Sequence, residues 1–370
     1  MKVKAQLKDI VSYSKGSQIN GDELLDDGKY DYLNGGVLPS GKWNEYNTEA
    51  ETVTVSEGGN SCGFVNYMQK PFWCGAHCYY LYDSKVNTRY LYYILKSQQD
   101  RLMKIRSGAC MPNIKKSDLG KFEVIYDTDS NEQKKVIDVL DRISSIITAR
   151  QQQLQKLDEL VKARFVEMFG DAFDNSMNWP TMQLQEVVSD DCSVSYGIVQ
   201  TGEEQDEGVP VFRPVDIVNN VPKIEELKKT TKEISDKYKR TILKGREMLI
   251  TVRANIADTY IIGGEFAGCN VGRGIVPIRT NEEIMILEFL KHQIDSKHLN
   301  NEIKKLAKGI ALIQLNMEDL RAVRLIVPPL KLQKQFVEFT KQLDKSKFVV
   351  QQALEKAQLL FDSLMQQYFG

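Results

Sequence analysis

Residues 131–170 and 331–370 are two copies of one segment, superimposable without a gap at an offset of 200 positions. Gln133 pairs with Gln333, Lys134 with Lys334, Gln151-Gln152 with Gln351-Gln352, and Leu154 with Leu354. Lys156, Leu160 and Phe169-Gly170 pair in turn with Lys356, Leu360 and Phe369-Gly370. Neither copy has a proline or glycine before its closing Phe-Gly. That ending is a helix stop, because glycine accepts the left-handed turn that releases a helix. A chain that repeats so long a helix must build two similar bodies, each followed by a similar rod.

The apolar spacing of both rods is that of a coiled coil. In the first, Leu140, Ile147, Leu154, Val161 and Met168 recur every seven residues, which keeps one stripe turned toward a partner. The alternate stripe, Val136, Ile143, Arg150, Leu157, Arg164, is broken by two arginines. In the second copy that alternate stripe is the cleaner one: Phe336, Leu343, Val350, Ala357, Leu364. Each helix carries the stripe that the other lacks, so the two are expected to pack on each other, antiparallel, about a pseudo-twofold.

The repeat reaches back into the preceding segments. Gly108, Ile114 and Asp118-Leu119 match Gly309, Leu315 and Asp319-Leu320 at an offset of 201. Phe122–Ile125 matches Val323–Ile326, Thr54–Asn60 resembles Leu249–Asn255, and Leu7–Val11 resembles Leu184–Val188. Strands are expected at Thr52–Ser56, Cys78–Tyr82, Met248–Val252, Tyr260–Ile262 and Gly274–Ile278, and helical periods over Leu91–Ile105 and Ile284–Leu306. The expected fold is α+β: a domain over 1–130, a long helix over 131–170, a polar connector over 171–179, a second domain over 180–330 and a C-terminal helix over 331–370. A shared scaffold with divergent loops suits two copies of one reader, each reading something different.

A hydrophobic content of 42% with 27% charged residues describes a globular chain, and no run of eighteen apolar residues suggests a membrane span. The N-terminal residues lack an apolar signal core, and six cysteines without a framework spacing fit a reducing cytoplasm. The net charge of −1 excludes a uniformly basic nucleic-acid binder. Residues 1–130 balance 16 basic against 16 acidic, and 180–330 balance 20 against 22, so a phosphate-binding surface must be a local face.

No catalytic constellation stands out. Gly36–Lys42 approximates a phosphate loop, but Trp43 stands where a Ser or Thr would hold magnesium. Cys74, His77 and Cys78, with Cys62 upstream, have no closed zinc spacing and no counterpart in the second half, so no metal is expected. The three histidines, His77, His292 and His298, form no triad, and Gly272-Arg-Gly274 is too short for a dinucleotide site. What remains are loop side chains able to read base edges and phosphates: Asn60, Ser61, Arg106 and Asn113 in the first half. Tyr196, Gln200, Arg213, Arg253, Asn255, Arg273 and Lys308 play that part in the second. Arg suits guanine and Asn or Gln suits adenine in the major groove.

With the duplicated helix in view, the chain resembles the specificity subunit of type I restriction–modification systems over essentially its whole length. The resemblance is carried by 131–170/331–370, Ser195–Gly202, Val209–Ile217, Met248–Arg253 with Asn270–Ile275, and Glu57–Val65. One departure is that Arg253 and Ala254 stand where the first half has Gly58-Gly59, so the loop there is expected to take another path. The resemblance implies two target-recognition domains held apart by two antiparallel helices, each reading one half of a bipartite, asymmetric site on double-stranded DNA. It implies two modification subunits that methylate adenine from S-adenosylmethionine, and restriction subunits that use ATP and magnesium. This chain would hold no cofactor and would catalyse nothing. Two alternatives stay open on the residues alone: a cytoplasmic coiled-coil adaptor that binds no DNA, and a stand-alone enzyme with an unrecognised site.

Overall fold

The computed structural model describes residues 1–108, 112–217, 223–309 and 313–370. The chain divides into two compact units, residues 1–152 with 350–370, and residues 153–349. The two long helices, Ser130–Phe169 and Leu330–Phe369, each contribute one half to each unit.

In the first unit, Lys2–Gln6 pairs antiparallel with Glu123–Asp127. A four-stranded sheet runs in the order Ser12–Lys15, Cys78–Tyr82, Thr52–Ser56, Val65–Met68. Thr52–Ser56 sits inside it and is buried at every position, as its β-branched run requires. A three-stranded sheet places Tyr30–Leu33 between Gly41–Trp43 and Trp73–Cys74. The phosphate-loop lookalike therefore ends in a strand, and no helix opens behind Lys42 to face an anion.

The second unit repeats the plan. Thr181–Gln183 pairs with Arg324–Ile326, and Met248–Thr251 lies between Thr259–Ile261 and Ile275–Ile278. Val209–Phe212 lies between Lys229–Thr230 and Asn270–Val271. The two expected helical stretches each break once, giving Thr88–Ser97 with Gln99–Lys104, and Leu287–Ile294 with Lys297–Lys305. Both breaks use the same device. Ser97 Oγ donates to the carbonyl of Ile94 at 2.8 Å, and Ser296 Oγ donates to that of Gln293 at 2.7 Å, competing with the helical ladder.

The long helices seal each core. In the second unit Phe165 and Phe169 meet Phe336 at ring-centroid distances of 5.4 and 5.6 Å, and Phe289 joins them. Burying each such ring contributes on the order of 2 kcal/mol. Further along, Arg164 lies over the Phe339 ring and Lys347 pairs with Asp158 at 2.6 Å. As one helix runs from 158 to 165 the other runs from 347 back to 336, so here they are antiparallel. In the first unit the start of the first helix meets the end of the second: Leu140 and Met365 are buried together beneath Tyr93, with Val136, Phe361 and Leu364 alongside. Arg89 fixes that junction, ion-paired with Asp141 at 2.7 Å and stacked on Tyr67 at 4.4 Å.

Both heptad stripes of each helix turn inward. Leu140, Val161, Phe336 and Val350 are buried, while Ile147, Leu154, Leu343 and Leu364 are half-buried. The arginines that interrupt one stripe are half-buried rather than expelled. Their long apolar stems can cover a neighbour while the charge reaches outward. Gly170 closes the first helix at φ +74°, and its N–H donates to Val166 O at 2.8 Å, the expected glycine stop.

Candidate nucleic-acid interface

In both units the central buried strand runs into a tight loop, and a hairpin docks beside that loop. In the first, Gly58 bridges Asn113, which also bridges Ser107. In the second, Arg253 bridges Gln314, which also bridges Lys308. The loops themselves are closed alike. Gly63 N–H donates to Ser56 O at 2.9 Å, and Ala257 N–H donates to Thr251 O at 2.8 Å. The second loop is one residue shorter, yet it keeps the same left-handed step: Gly59 has φ +72° and Ala254 has φ +60°. The two loops thus differ in length by one residue, while this left-handed step is kept in the second without a glycine.

Of the first unit's candidate readers, Asn60, Arg106 and Asn113 are exposed around this junction. Ser61 is half-buried, and its hydroxyl donates to Gly35 O at 2.6 Å, so it ties the loop to its neighbour rather than facing outward. Beneath them Cys62 is fully buried and its Sγ donates to Glu57 O, with burial raising the thiol pKa and the Arg106 charge opposing the rise. Cys74 and Cys78 are buried in the sheet and bond to backbone carbonyls, whereas His77 is exposed at 3.5 Å from Glu57. Cys110 lies outside the described residues.

The second unit brings more together. Arg253 Nε donates to Gln314 Oε1 at 2.7 Å, and its Nη2 donates to the same oxygen. Gln314 Nε2 in turn donates to the Tyr196 hydroxyl, which donates to Leu315 O at 3.2 Å. Arg253 is half-buried, and its two bonds to one amide oxygen fix the plane of its guanidinium. Arg273 is exposed at the next strand end, its N–H donating to Ile198 O at 2.8 Å. Gln200, Asn255 and Lys308 are exposed, Lys308 at 3.4 Å from Asp319. Arg213 is otherwise engaged: Asp216 takes its Nε and Nη2 at 3.0 and 2.7 Å and also caps its backbone N–H. Gln314 is absent from the sequence-derived set, although its offset of 201 from Asn113 marks the position.

A sequence model described as the type I restriction modification DNA specificity domain matches this chain twice, over residues 2–159 and 178–358. The chain belongs to this family. Among its relatives, a protein of Mycoplasma genitalium named as a type I specificity subunit is 33% identical over 160 residues, 42% of this chain and 40% of that protein. The EcoBI type I restriction enzyme specificity subunit of Escherichia coli is 25% identical over 196 residues, 52% of this chain and 41% of its own length. These matches span only about two fifths of each relative's length. In fold the chain is similar to the crystal structure of a type I restriction–modification S subunit from M. genitalium, at a TM-score of 0.66 and 19% identity, covering 100% of this chain and 96% of that one. The two family matches coincide with the two halves of the repeat, so each specificity domain carries one loop-and-hairpin junction. No described helix is long and apolar enough to cross a membrane.

Among the described residues, one group of side chains comes close enough to share a cation. Asp171, Asp174 and His298 bring their ligand atoms within 4.8 Å of one another just after the first long helix. Asp174 is exposed and the other two are half-buried; the approach of His298 Nδ1 to Asp171 at 3.3 Å and of its ring to Phe173 at 4.6 Å suits a clamp on the connector.

Proposed function

We propose that this chain is the DNA-recognition subunit of a type I restriction–modification complex, with each domain reading one half of a bipartite, asymmetric site. The observation that carries this reading is the duplicated junction: one backbone construction holds Gly58 and Asn113 in one unit and Arg253 and Gln314 in the other. Equal scaffolds presenting unequal side chains suit the reading of two different half-sites, since base edges are discriminated by donor and acceptor pattern. The domains are assigned to 1–130 and 180–330, the helices 131–170 and 331–370 serve as the rods between them, and 171–179 is the connector. On this reading the chain acts in the cytoplasm and catalyses nothing. Two modification subunits supply adenine methylation from S-adenosylmethionine, and restriction subunits supply ATP- and magnesium-dependent translocation and cleavage.

Mapping methylated bases in host DNA with and without this gene tests the proposal. A bipartite adenine motif should vanish when the gene is removed. Replacing residues 1–130 with those of a relative should change one half of that motif only. A motif that persists without the gene would refute the reading, and a swap that alters both halves would refute its modularity.

A further inference from the structure

A concavity of about 400 Å³ opens beside Tyr196 in the second unit, walled on one side by Ser195 and Tyr196 and on the other by residues 236–241. That second wall is a turn held from below by one buried side chain. Asn270 is fully buried; its Nδ2 donates to Ser235 Oγ at 3.0 Å and Tyr238 O at 3.4 Å, and its Oδ1 accepts from Thr241 Oγ1 at 2.7 Å. Backbone bonds from Tyr238 N to Ser235 O at 2.8 Å and from Thr241 N to Tyr238 O at 3.1 Å complete the brace. A buried amide with its capacity so filled fixes the loop above it.

The turn presents charge. Lys239 and Arg240 are exposed and have no ion-pair partner among the described residues. Lys237 is paired with Glu233 at 3.1 Å, and Asp236 is the acidic member of the wall. The acidic loop 203–207 precedes them in the chain, where Glu204 is neutralised by Lys228 at 2.6 Å. Tyr196 belongs both to the concavity and to the Arg253–Gln314 network. Lys239 and Arg240, without ion-pair partners among the described residues, thus sit on a braced turn that shares Tyr196 with the Arg253–Gln314 network, and Lys and Arg are common donors to DNA phosphates.

We infer that Lys239 and Arg240 bind the DNA phosphates flanking the half-site read by the second domain, and contribute affinity without sequence choice. The inference rests on the functional reading above and deepens it. Neutralising a phosphate releases condensed counterions, so each contact adds about 0.9 to the slope of log affinity against log salt.

The test uses the full chain, co-purified with its modification subunit, and a duplex carrying the motif mapped for the wild type. K239A/R240A should lower the salt slope by about 1.8, so between about 50 and 200 mM salt it loses roughly twelve-fold less affinity than wild type. The methylated motif should stay the same, and K239R/R240K should keep the wild-type slope. An unchanged slope in the double alanine variant overturns the inference, as does a changed base preference, which would make these residues base readers. Absence of specific binding by the wild-type complex would remove the functional reading itself, and the inference with it.

Discussion

Gln333 Oε1 accepts the backbone N–H of Ile286 at 2.9 Å, joining the start of the second long helix to the N-cap of Leu287–Ile294. Its amide nitrogen donates to Ile284 O at 3.0 Å and Pro328 O at 2.8 Å, and the side chain is fully buried. Gln133, its repeat partner, does the same in the first unit, accepting from Asn87 N at 3.0 Å and donating to Asp127 O at 2.8 Å. Asn87 is likewise the N-cap of its helix, Thr88–Ser97.

Removing Gln333 leaves buried backbone groups without partners, and removing Gln133 leaves part-buried ones; the cost is about 1–3 kcal/mol for each group that water cannot reach. Gln333→Ala should therefore destabilise by about 2–4 kcal/mol, and Gln133→Ala by less, because one bond fewer is lost. Urea unfolding of each full-length variant measures this. Equal, negligible shifts would mean that these amides decorate the joint without holding it.

The Arg253–Gln314 pair supports a different expectation. With Nε and Nη2 both donating to one amide oxygen, the guanidinium plane is set before DNA arrives. Arg253→Ala should cost about 1–3 kcal/mol against the preferred base and relax the motif at one position. Gln314→Ala should relax the same position more weakly, since the arginine stays but loses its orientation. Methylome mapping decides it: relaxation in the other half-site, or none, would contradict the assignment.

The long helices and their joints were legible because they rest on spacing. A seven-residue stripe and an ungapped repeat survive in sequence as counts, and Gln133/Gln333 appear in the repeat itself. The Arg253–Gln314–Tyr196 cluster was only half legible. Arg253 and Tyr196 stand out as side-chain types, but Gln314 becomes visible only when Asn113 is carried across at offset 201, and the engagement of Arg213 by Asp216 depends on a local turn that composition does not encode. Lys239 and Arg240 sit in an ordinary charged run. What singles them out is the Asn270 brace, whose parts lie about thirty residues apart in the chain.

Ala254 gives a third expectation. At φ +60° an L-residue pays about 1–2 kcal/mol that glycine avoids, partly offset by the greater entropy that glycine loses on folding. Ala254→Gly should raise stability by roughly 0.5–1 kcal/mol. Gly59→Ala should lower it by a similar amount through strain alone, because an added Cβ there meets nothing within 4 Å. Thermal melts of the two variants should move in opposite directions, and shifts of the same sign would show that the two loops do not share this step.

His292 yields the last expectation. Its ring meets Phe336 edge-on at 5.1 Å, and burial first, then the neighbouring Lys291 charge, push its pKa down to about 4. Asp295 at the C-cap of the His292 helix and Asp344 on the second long helix pull the other way, while Lys347 adds to the depression. The folded state keeps the ring neutral, whereas the unfolded chain takes up a proton below about 6.5. Stability from this group is therefore complete above pH 6.5, erodes as pH falls toward 4, and changes no further below that. The loss across the window amounts to about 3 kcal/mol. Trp179 packs near Phe169 at 6.5 Å, so in a Trp43→Phe, Trp73→Phe background its fluorescence reports on the second unit alone. Urea midpoints should fall between pH 6.5 and 4.5 in that background and fall much less when His292→Gln is added. Parallel losses in both proteins would assign the acid sensitivity to carboxylates and clear the histidine.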